Sequence, residues 1–159
     1  MTNNFRELRS IKIKRLLTLL SLVVLSWGLT GPVQAGTKFN ITIKTILASQ
    51  DSRYVDARLS DLVKELKSVF RYSSYRLMGQ TSMSLGINET GLTPFPGDRV
   101  LKITPTQITG NRVRLRLAVY KEKRQVFETV IELLNRGSIT VGGPKHREGY
   151  LLLNIFSSF

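Results

Sequence analysis

The sequence predicts an α+β domain, with one amphipathic helix packed on a mostly antiparallel β-sheet of about six to seven strands. Three observations predict this fold class. Most of the chain after residue 36 alternates apolar and polar side chains, which is the period of a half-buried strand. Only residues 56–70 repeat apolar side chains at helical spacing. Turn-forming glycine, proline and asparagine residues separate the alternating segments.

Residues 1–35 carry the three parts of a secretory signal. The first 15 residues hold five Lys and Arg side chains against Glu7, and residues 16–31 carry no charge. Val33 and Ala35 then occupy the −3 and −1 positions of a small-residue cleavage site. The uncharged run is shorter than the about 20 apolar residues of a transmembrane helix. We expect cleavage after Ala35 and a periplasmic or secreted mature protein with no transmembrane helix; an uncleaved anchor is the alternative.

The remaining chain, residues 36–159, is expected to form a single domain. It carries 19 basic side chains against 10 acidic ones, a net charge of +9, which favours an anionic partner. The chain contains no cysteine, so a domain of this size must rely on its hydrophobic core alone. Export without disulfides is more typical of a bacterial periplasm than of an animal extracellular space.

The first strand and the helix have clear patterns. Residues 38–49 alternate strictly and are rich in β-branched side chains, which predicts a half-buried strand. The helix is predicted to start at Asp56, whose carboxylate suits an N-cap, and to run to Phe70. Its apolar face consists of Leu59, Leu62, Val63, Leu66, Val69 and Phe70.

The middle of the chain is predicted to be β-structure interrupted by turns. Residues 74–86 form one long strand with a possible bulge at Gly79, and residues 88–98 form a loop with two glycines and two prolines. Residues 99–110 form a strand that ends, or lies at a sheet edge, at Pro105. Gly110 and Asn111 then make a hairpin turn.

Three arginines stand on alternate positions of the next predicted strand. Val113, Leu115, Leu117 and Val119 take one face of this strand, and Arg112, Arg114 and Arg116 take the other. A polar turn at residues 121–125 leads to a returning strand, on which Glu128 and Glu132 could lie opposite the arginines. The three arginines are therefore either a contact surface for an anionic partner or simply the solvated face of a hairpin.

The last segment contains a second basic group. Residues 138–141 are predicted to form a short strand, 142–149 a polar connection, and 150–159 a final strand that is central or covered by the helix. In the connection, glycine N–H groups with Lys145 and Arg147 could hold an anion. The other interpretation is a tight turn that requires a positive φ at Gly142 or Gly143.

Residue types with catalytic potential are scarce. His146 is the only histidine and lies between Lys145 and Arg147, so we predict no metal site, no cofactor and no catalytic residue. Tyr120 is the only aromatic residue among the basic positions 112–124, which argues against nucleic acid as a partner. A small envelope hydrolase or transferase, using His146 or a pair of carboxylates, is the enzymatic alternative.

Several stretches together resemble a group of small exported proteobacterial proteins: "ILASQ", "VDARLSDLVKELKSVFRYSSYRLM", "RVLKITP" and "VGGPKHREGYLLLNI". These are packing and turn motifs, so the resemblance implies an exported protein and transfers no catalytic residue. The strand–helix start is also similar to that of small periplasmic domains in secretion-channel proteins, at the level of fold alone.

The sequence therefore predicts a non-enzymatic binding or adaptor module of the bacterial envelope. Its expected partner is an envelope protein or an anionic envelope polymer or lipid, contacted through basic faces, sheet edges and the loop at residues 88–98. The candidate contact residues are Arg112, Arg114, Arg116, Lys145 and Arg147. A subunit of a larger assembly is a further possibility.

Overall fold

The computed structural model describes residues 36–159, which fold into two four-stranded antiparallel sheets with one short helical segment. The predicted signal and its cleavage site, up to Ala35, lie outside the described residues. No helix within residues 36–159 is long and apolar enough to cross a membrane. The elements in chain order are β1 (Phe39–Ser49), a 3₁₀ helix (Ala57–Leu59), α1 (Val63–Val69), β2 (Ser74–Leu85), β3 (Gly91–Phe95), β4 (Arg99–Thr109), β5 (Arg112–Lys121), β6 (Arg124–Leu134), β7 (Gly137–His146) and β8 (Gly149–Ser158).

The prediction of one sheet with six to seven strands is wrong, whereas its antiparallel character is confirmed. Sheet I has the strand order β2-β1-β8-β7 and sheet II has the order β3-β4-β5-β6. The chain passes to sheet II between β2 and β3 and returns between β6 and β7. Alternation shows which face of a strand is buried, but the same alternation serves a strand in either sheet, so the division into two sheets cannot be read from it.

The two sheets bury a shared core. β1 contributes Phe39, Ile41 and Ile43 from sheet I, all at most 2% exposed. These side chains pack in one cluster with those of sheet II, which confirms the predicted inward face of β5. The other buried members are Leu85, Phe95, Leu101, Ile103, Val113, Leu115, Leu117, Val119, Ile131, Leu133, Leu151, Leu153 and Ile155. Burial of each large aliphatic side chain contributes about 1.5–3 kcal/mol to folding.

A second apolar cluster lies on the outer face of sheet I, beneath the helical segment. Leu59, Leu62 and Leu66 come from the helical segment, and the strands supply Ile46, Ala48, Tyr75, Leu77 and Leu152. β8 lies between β1 and β7, with Leu151 and Leu153 in the core between the sheets and Leu152 under the helix. The prediction that the apolar final strand is central or covered by the helix is therefore confirmed on both counts.

The predicted helix over residues 56–70 is broken into two short pieces. Asp56 caps the 3₁₀ turn rather than the α-helix, and α1 has only seven residues. Val69, assigned to the apolar face, is 64% exposed. The Asp56 N–H donates to the Tyr75 carbonyl at 2.9 Å, which ties the start of the segment to β2. Packing on the sheet, rather than helical periodicity, thus decides where the helix begins and which side chains it buries.

Asp56 provides a prediction of pH dependence. Its carboxylate accepts hydrogen bonds from the Arg58 side chain at 3.0 and 2.7 Å and from the Arg58 backbone N–H at 3.0 Å. These bonds, the side-chain ones first, lower the pKa of Asp56 from 3.8 to about 2. The stabilisation is therefore present above the unfolded pKa and is lost as the pH falls from about 4 to about 2.

We expect the urea midpoint of the wild-type protein to fall more steeply than that of Asp56→Asn as the pH is lowered from 5 to 2. Urea unfolding followed by far-UV circular dichroism measures the midpoints. Asparagine keeps the capping oxygen but does not titrate, which makes it the matched control. If the urea midpoints of the two proteins fell equally with pH, the result would contradict a lowered pKa of Asp56 in the folded protein.

Two predicted details of the middle strands are confirmed, and the predictions for Pro105 and for residues 88–98 differ in part from the structure. A register shift beside Gly79 confirms the bulge, and Gly110, at φ +57°, confirms the hairpin turn. β4 does not end at Pro105; it continues with a bulge, and the proline lies beyond the last pairing with β3, so its missing N–H costs no ladder bond there. The predicted loop at residues 88–98 is wrong in its middle, since Gly91–Phe95 forms the edge strand β3.

The predicted polar connection at residues 142–149 is also wrong. β7 runs without interruption from Gly137 to His146, with a bulge between Gly142 and Lys145, and the turn consists of Arg147 and Glu148. Neither Gly142 nor Gly143 has a positive φ; that conformation falls on Arg147, at φ 52°. A Cβ on Gly143 would lie 2.9 Å from the Leu151 carbonyl oxygen, so close approach of β8 is the reason for a glycine there.

Candidate functional site

The three predicted arginines lie on the outer face of sheet II. Arg112, Arg114 and Arg116 are all exposed on β5, and the residues between them are buried in the core. Nothing among residues 36–159 covers this outer face, in contrast to sheet I, whose outer face carries the helical segment. The alternation of β5 therefore placed these side chains correctly.

The pairing of β5 with β6 distinguishes Arg114 from its two neighbours. Arg114 lies opposite Glu132, and its Nη2 and Nε donate to Glu132 Oε1 at 2.6 and 3.0 Å. Its Nη1 also donates to Gln107 Oε1 on β4 at 2.8 Å. The predicted pairing with Glu132 is confirmed, whereas Glu128 lies opposite Ala118 and pairs with none of the three arginines. An exposed pair of this kind contributes about 0.2–1 kcal/mol, but it removes Arg114 as a free cation.

Arg112 and Arg116 have apolar neighbours instead. Arg112 lies opposite Leu134, and Arg116 lies opposite Val130. Within residues 36–159 neither arginine forms an ion pair. The side chains of Leu134 and Val130 are 50% and 55% exposed. The register thus creates two free guanidinium groups, each beside an exposed aliphatic side chain.

We call this surface the open face. Its further members on β3, β4 and β5 combine aliphatic and basic character. Leu92 is 61% exposed, and the Lys102 ammonium stands 4.4 Å from the centre of the Tyr120 ring. The open face comprises Leu92, Val100, Lys102, Arg112, Arg114, Arg116, Tyr120, Val130, Glu132 and Leu134. A surface of this composition can contact an anion and an apolar group at the same time.

Lys145 and Arg147 belong to a separate place, the β7–β8 hairpin of sheet I. Both are exposed. Arg99, at the start of β4, lies beside them and was not predicted: its Nη2 donates to the Lys145 carbonyl at 3.2 Å. The Nε and Nη1 of Arg99 are enclosed and have no hydrogen-bond partner among residues 36–159. The contact joins the two sheets, so no local pattern in the sequence could have indicated it.

His146 is half-buried next to this arginine. Burial, and then the charges of Arg147 and Arg99, lower the pKa of the His146 imidazole. No carboxylate accepts a hydrogen bond from His146 among the described side chains. The surroundings of His146 therefore favour its neutral form.

A small cleft lies at the same end of sheet I. Its volume is about 140 Å³, and it is lined by the acids Asp51 and Glu148, the arginines Arg76 and Arg147, and by Leu47, Ser49, Ser52, Ser74 and Gly149. The Ser49 hydroxyl donates to Asp51, and this bond, before the charge of Arg76, lowers the pKa of Asp51. The lowered pKa of Asp51 does not suit a catalytic acid, which needs a raised pKa. The cleft is also smaller than most ligand pockets, which usually occupy about 300–1,000 Å³.

Metal-ligating side chains do not converge in the described part of the chain: residues 36–159 contain no group of three His, Asp or Glu side chains that could hold an ion. The structure thus separates the five predicted contact residues into the open face, with Arg112, Arg114 and Arg116, and the β7–β8 hairpin, with Lys145 and Arg147. Comparisons of the chain with protein-family models, with curated proteins and with solved structures find no match.

Proposed function

We propose that the protein is exported to the bacterial envelope and acts there as a non-enzymatic binding or adaptor module. In this proposal the open face contacts an anionic envelope component or a protein partner. The observation that carries the proposal is the pair of free arginines, Arg112 and Arg116, on an uncovered sheet face between exposed aliphatic side chains. Residues 1–35, with their signal-like pattern, support the location.

The spacing of the two arginines favours an extended partner. Residues four apart on a strand are separated by about 13 Å, because a strand rises about 3.3 Å per residue. A single phosphate or carboxylate cannot bridge that distance, whereas a polymer or a row of lipid headgroups can. Arginine suits this role because its planar guanidinium binds phosphate and carboxylate in a bidentate manner.

Charge and apolar contact act together on this face. Val130 and Leu134 lie directly across from Arg116 and Arg112, so an anionic group at each guanidinium would bring its own apolar part onto an aliphatic side chain. The net charge of +9 on residues 36–159 adds long-range attraction toward such a partner. Lys145 and Arg147 on the other sheet add to that attraction without belonging to the same contact surface.

We expect Arg112→Gln/Arg116→Gln to bind anionic vesicles about tenfold to thirtyfold more weakly than the wild type, because each basic residue near an anionic surface contributes about 1 kcal/mol. The protein, purified from a Gram-negative host after its location and intact mass are determined, is sedimented with phosphatidylcholine vesicles with and without phosphatidylglycerol. A loss of binding that appears with the anionic vesicles only would support the open face as their contact surface.

The matched control is Lys64→Gln/Lys67→Gln, which removes the same charge from the helical segment on sheet I. If this control loses as much binding as the arginine variant, net charge rather than the open face carries the affinity. If the wild type binds no vesicles, the result would contradict an anionic lipid as the partner and leave a protein as the proposed partner of the open face.

A small envelope hydrolase or transferase is the second candidate. The observation in its favour is that Asp51 and Glu148 line one cleft together with serine hydroxyl groups, whereas His146 is not among the lining residues. Release of soluble fragments from cell-wall polymer by the wild type, and its loss in Glu148→Gln but not in Arg112→Gln/Arg116→Gln, would favour the enzyme over the binding module.

A further inference from the structure

The two sheets have four edge strands, and these differ in how open they are. The strand orders place β2 and β7 at the edges of sheet I, and β3 and β6 at the edges of sheet II. An edge strand presents unpaired backbone N–H and C=O groups, which can accept another strand unless the edge is protected. Bulges, prolines and short length are the usual means of protection.

Three of these edges carry such protection. β3 has only five residues and includes Pro94. β7 has a bulge between Gly142 and Lys145 that contains Pro144. β2 has a register shift beside Gly79 in the middle of the strand. Each feature interrupts the regular row of backbone groups that an added strand would need.

The edge strand β6 lacks all of them over residues 127–134. Its pairing with β5 is continuous from Phe127 to Leu134, and the one register shift comes before Phe127. The eight residues contain no proline, glycine or lysine. This length exceeds the about five to six residues of a typical strand, so the edge can hold a complete added strand.

The side chains of this edge indicate what kind of strand fits. On the outer side, β6 presents Glu128, Val130, Glu132 and Leu134 in alternation. Glu132 already accepts hydrogen bonds from Arg114. Among the described residues, Glu128 accepts a hydrogen bond only from Gln125, at 2.6 Å. Cross-strand pairs of opposite charge and of aliphatic side chains stabilise a sheet. A complementary strand therefore places a cation opposite Glu128 and aliphatic residues opposite Val130 and Leu134.

A second copy of this chain does not offer that complement. Residues 127–134 contain two glutamates and no cation. Any antiparallel pairing of this segment with itself that keeps the outer faces together puts each glutamate opposite another glutamate or an aliphatic side chain. Like charges directly opposite each other destabilise a strand pair.

We infer that the β6 edge binds an extended segment of a partner protein by strand addition, and that this segment alternates aliphatic and cationic residues on its outer side. Backbone hydrogen bonds supply the affinity of such a contact, and the alternating side chains supply its specificity. The inference goes beyond the proposed anion contact, because it assigns a partner of the opposite charge to the backbone edge of β6, which adjoins the open face and shares Val130, Glu132 and Leu134 with it.

The probe is a short synthetic peptide in which valine and lysine alternate on one face and threonine fills the other. Hydrogen exchange of the protein, purified as for the vesicle experiment, is followed with and without the peptide. We expect slower exchange within residues 127–134, at the alternate backbone amides that do not bond to β5. A second peptide with glutamate in place of lysine is expected to bind about fivefold more weakly, since a cross-strand charge pair contributes about 0.2–1 kcal/mol.

Glu128→Lys is expected to reverse that preference, so that the glutamate peptide binds about fivefold better than the lysine peptide. Glu65→Lys, a matched charge change in α1, should leave the preference unchanged. Equal binding of both peptides by the wild type, protection of another strand, or dimers that already protect residues 127–134 would each overturn the inference. Arg112→Gln/Arg116→Gln should keep peptide binding, so failure of the anion contact and failure of the edge contact can be told apart.

Discussion

Gly149→Ala is expected to lower the free energy of unfolding by about 3 kcal/mol, because overpacking against a backbone that cannot move costs about 1–3 kcal/mol and occasionally more. A Cβ at this position would overlap the Ala48 carbonyl oxygen and stand 3.1 Å from the Ser49 Cβ. Relief of that contact would require β8 to shift away from β1, and these strands are central to sheet I. Urea unfolding followed by circular dichroism measures the change.

Gly142→Ala is the matched control. It lies on the neighbouring strand β7, has no positive φ, and a Cβ there would meet no heavy atom within 4 Å. We expect its effect to stay within about 0.5 kcal/mol. Equal losses of stability in the two variants would contradict the assignment to close packing of β8 on β1, because removing the freedom of a glycine from the unfolded chain stabilises the folded state instead of destabilising it.

Leu66→Ala is expected to destabilise the protein by about 2–5 kcal/mol, the usual cost of removing a buried leucine side chain. Leu66 is fully buried and is the one buried residue of α1, where it packs in the outer cluster of sheet I. Loss of this side chain removes the main apolar contact of a helix that is too short to be stable alone.

The comparison for this variant is Val69→Ala in the same helix. Val69 is 64% exposed, so its replacement should change stability by less than about 0.5 kcal/mol. Thermal unfolding separates the two, and hydrogen exchange should show faster exchange in residues 57–70 of the leucine variant. A small effect of Leu66→Ala would mean that the helical segment contributes little to the fold.

The two proposed contact surfaces meet on sheet II. Arg112 and Arg116 on β5 lie opposite Leu134 and Val130 on β6, and β6 is also the open edge. An anionic component on the face and a cationic strand at the edge would thus occupy neighbouring positions, with Glu132 held by Arg114 between them. Such an arrangement suits an adaptor, because one sheet could hold a partner protein close to an anionic envelope component.

The sequence by itself determined most of the strands and the side each residue takes. Alternation is a local property, so the buried row of β5, the exposed arginines, the bulge at Gly79 and the turn at Gly110 were all predictable from a few neighbouring residues. The apolar character of residues 150–159 likewise indicated a strand covered on both faces, as β8 is.

The tertiary structure alone decided which strands pair and in which register. Two separate sheets, the continuous β7, the broken helix and the contact of Arg99 with Lys145 depend on residues far apart in the chain. The same holds for the candidate site. A register with β6 that differed by two residues would keep every arginine on the outer face, yet a different arginine would be opposite Glu132. Which guanidinium groups remain free is therefore a property of strand pairing, which local periodicity does not encode.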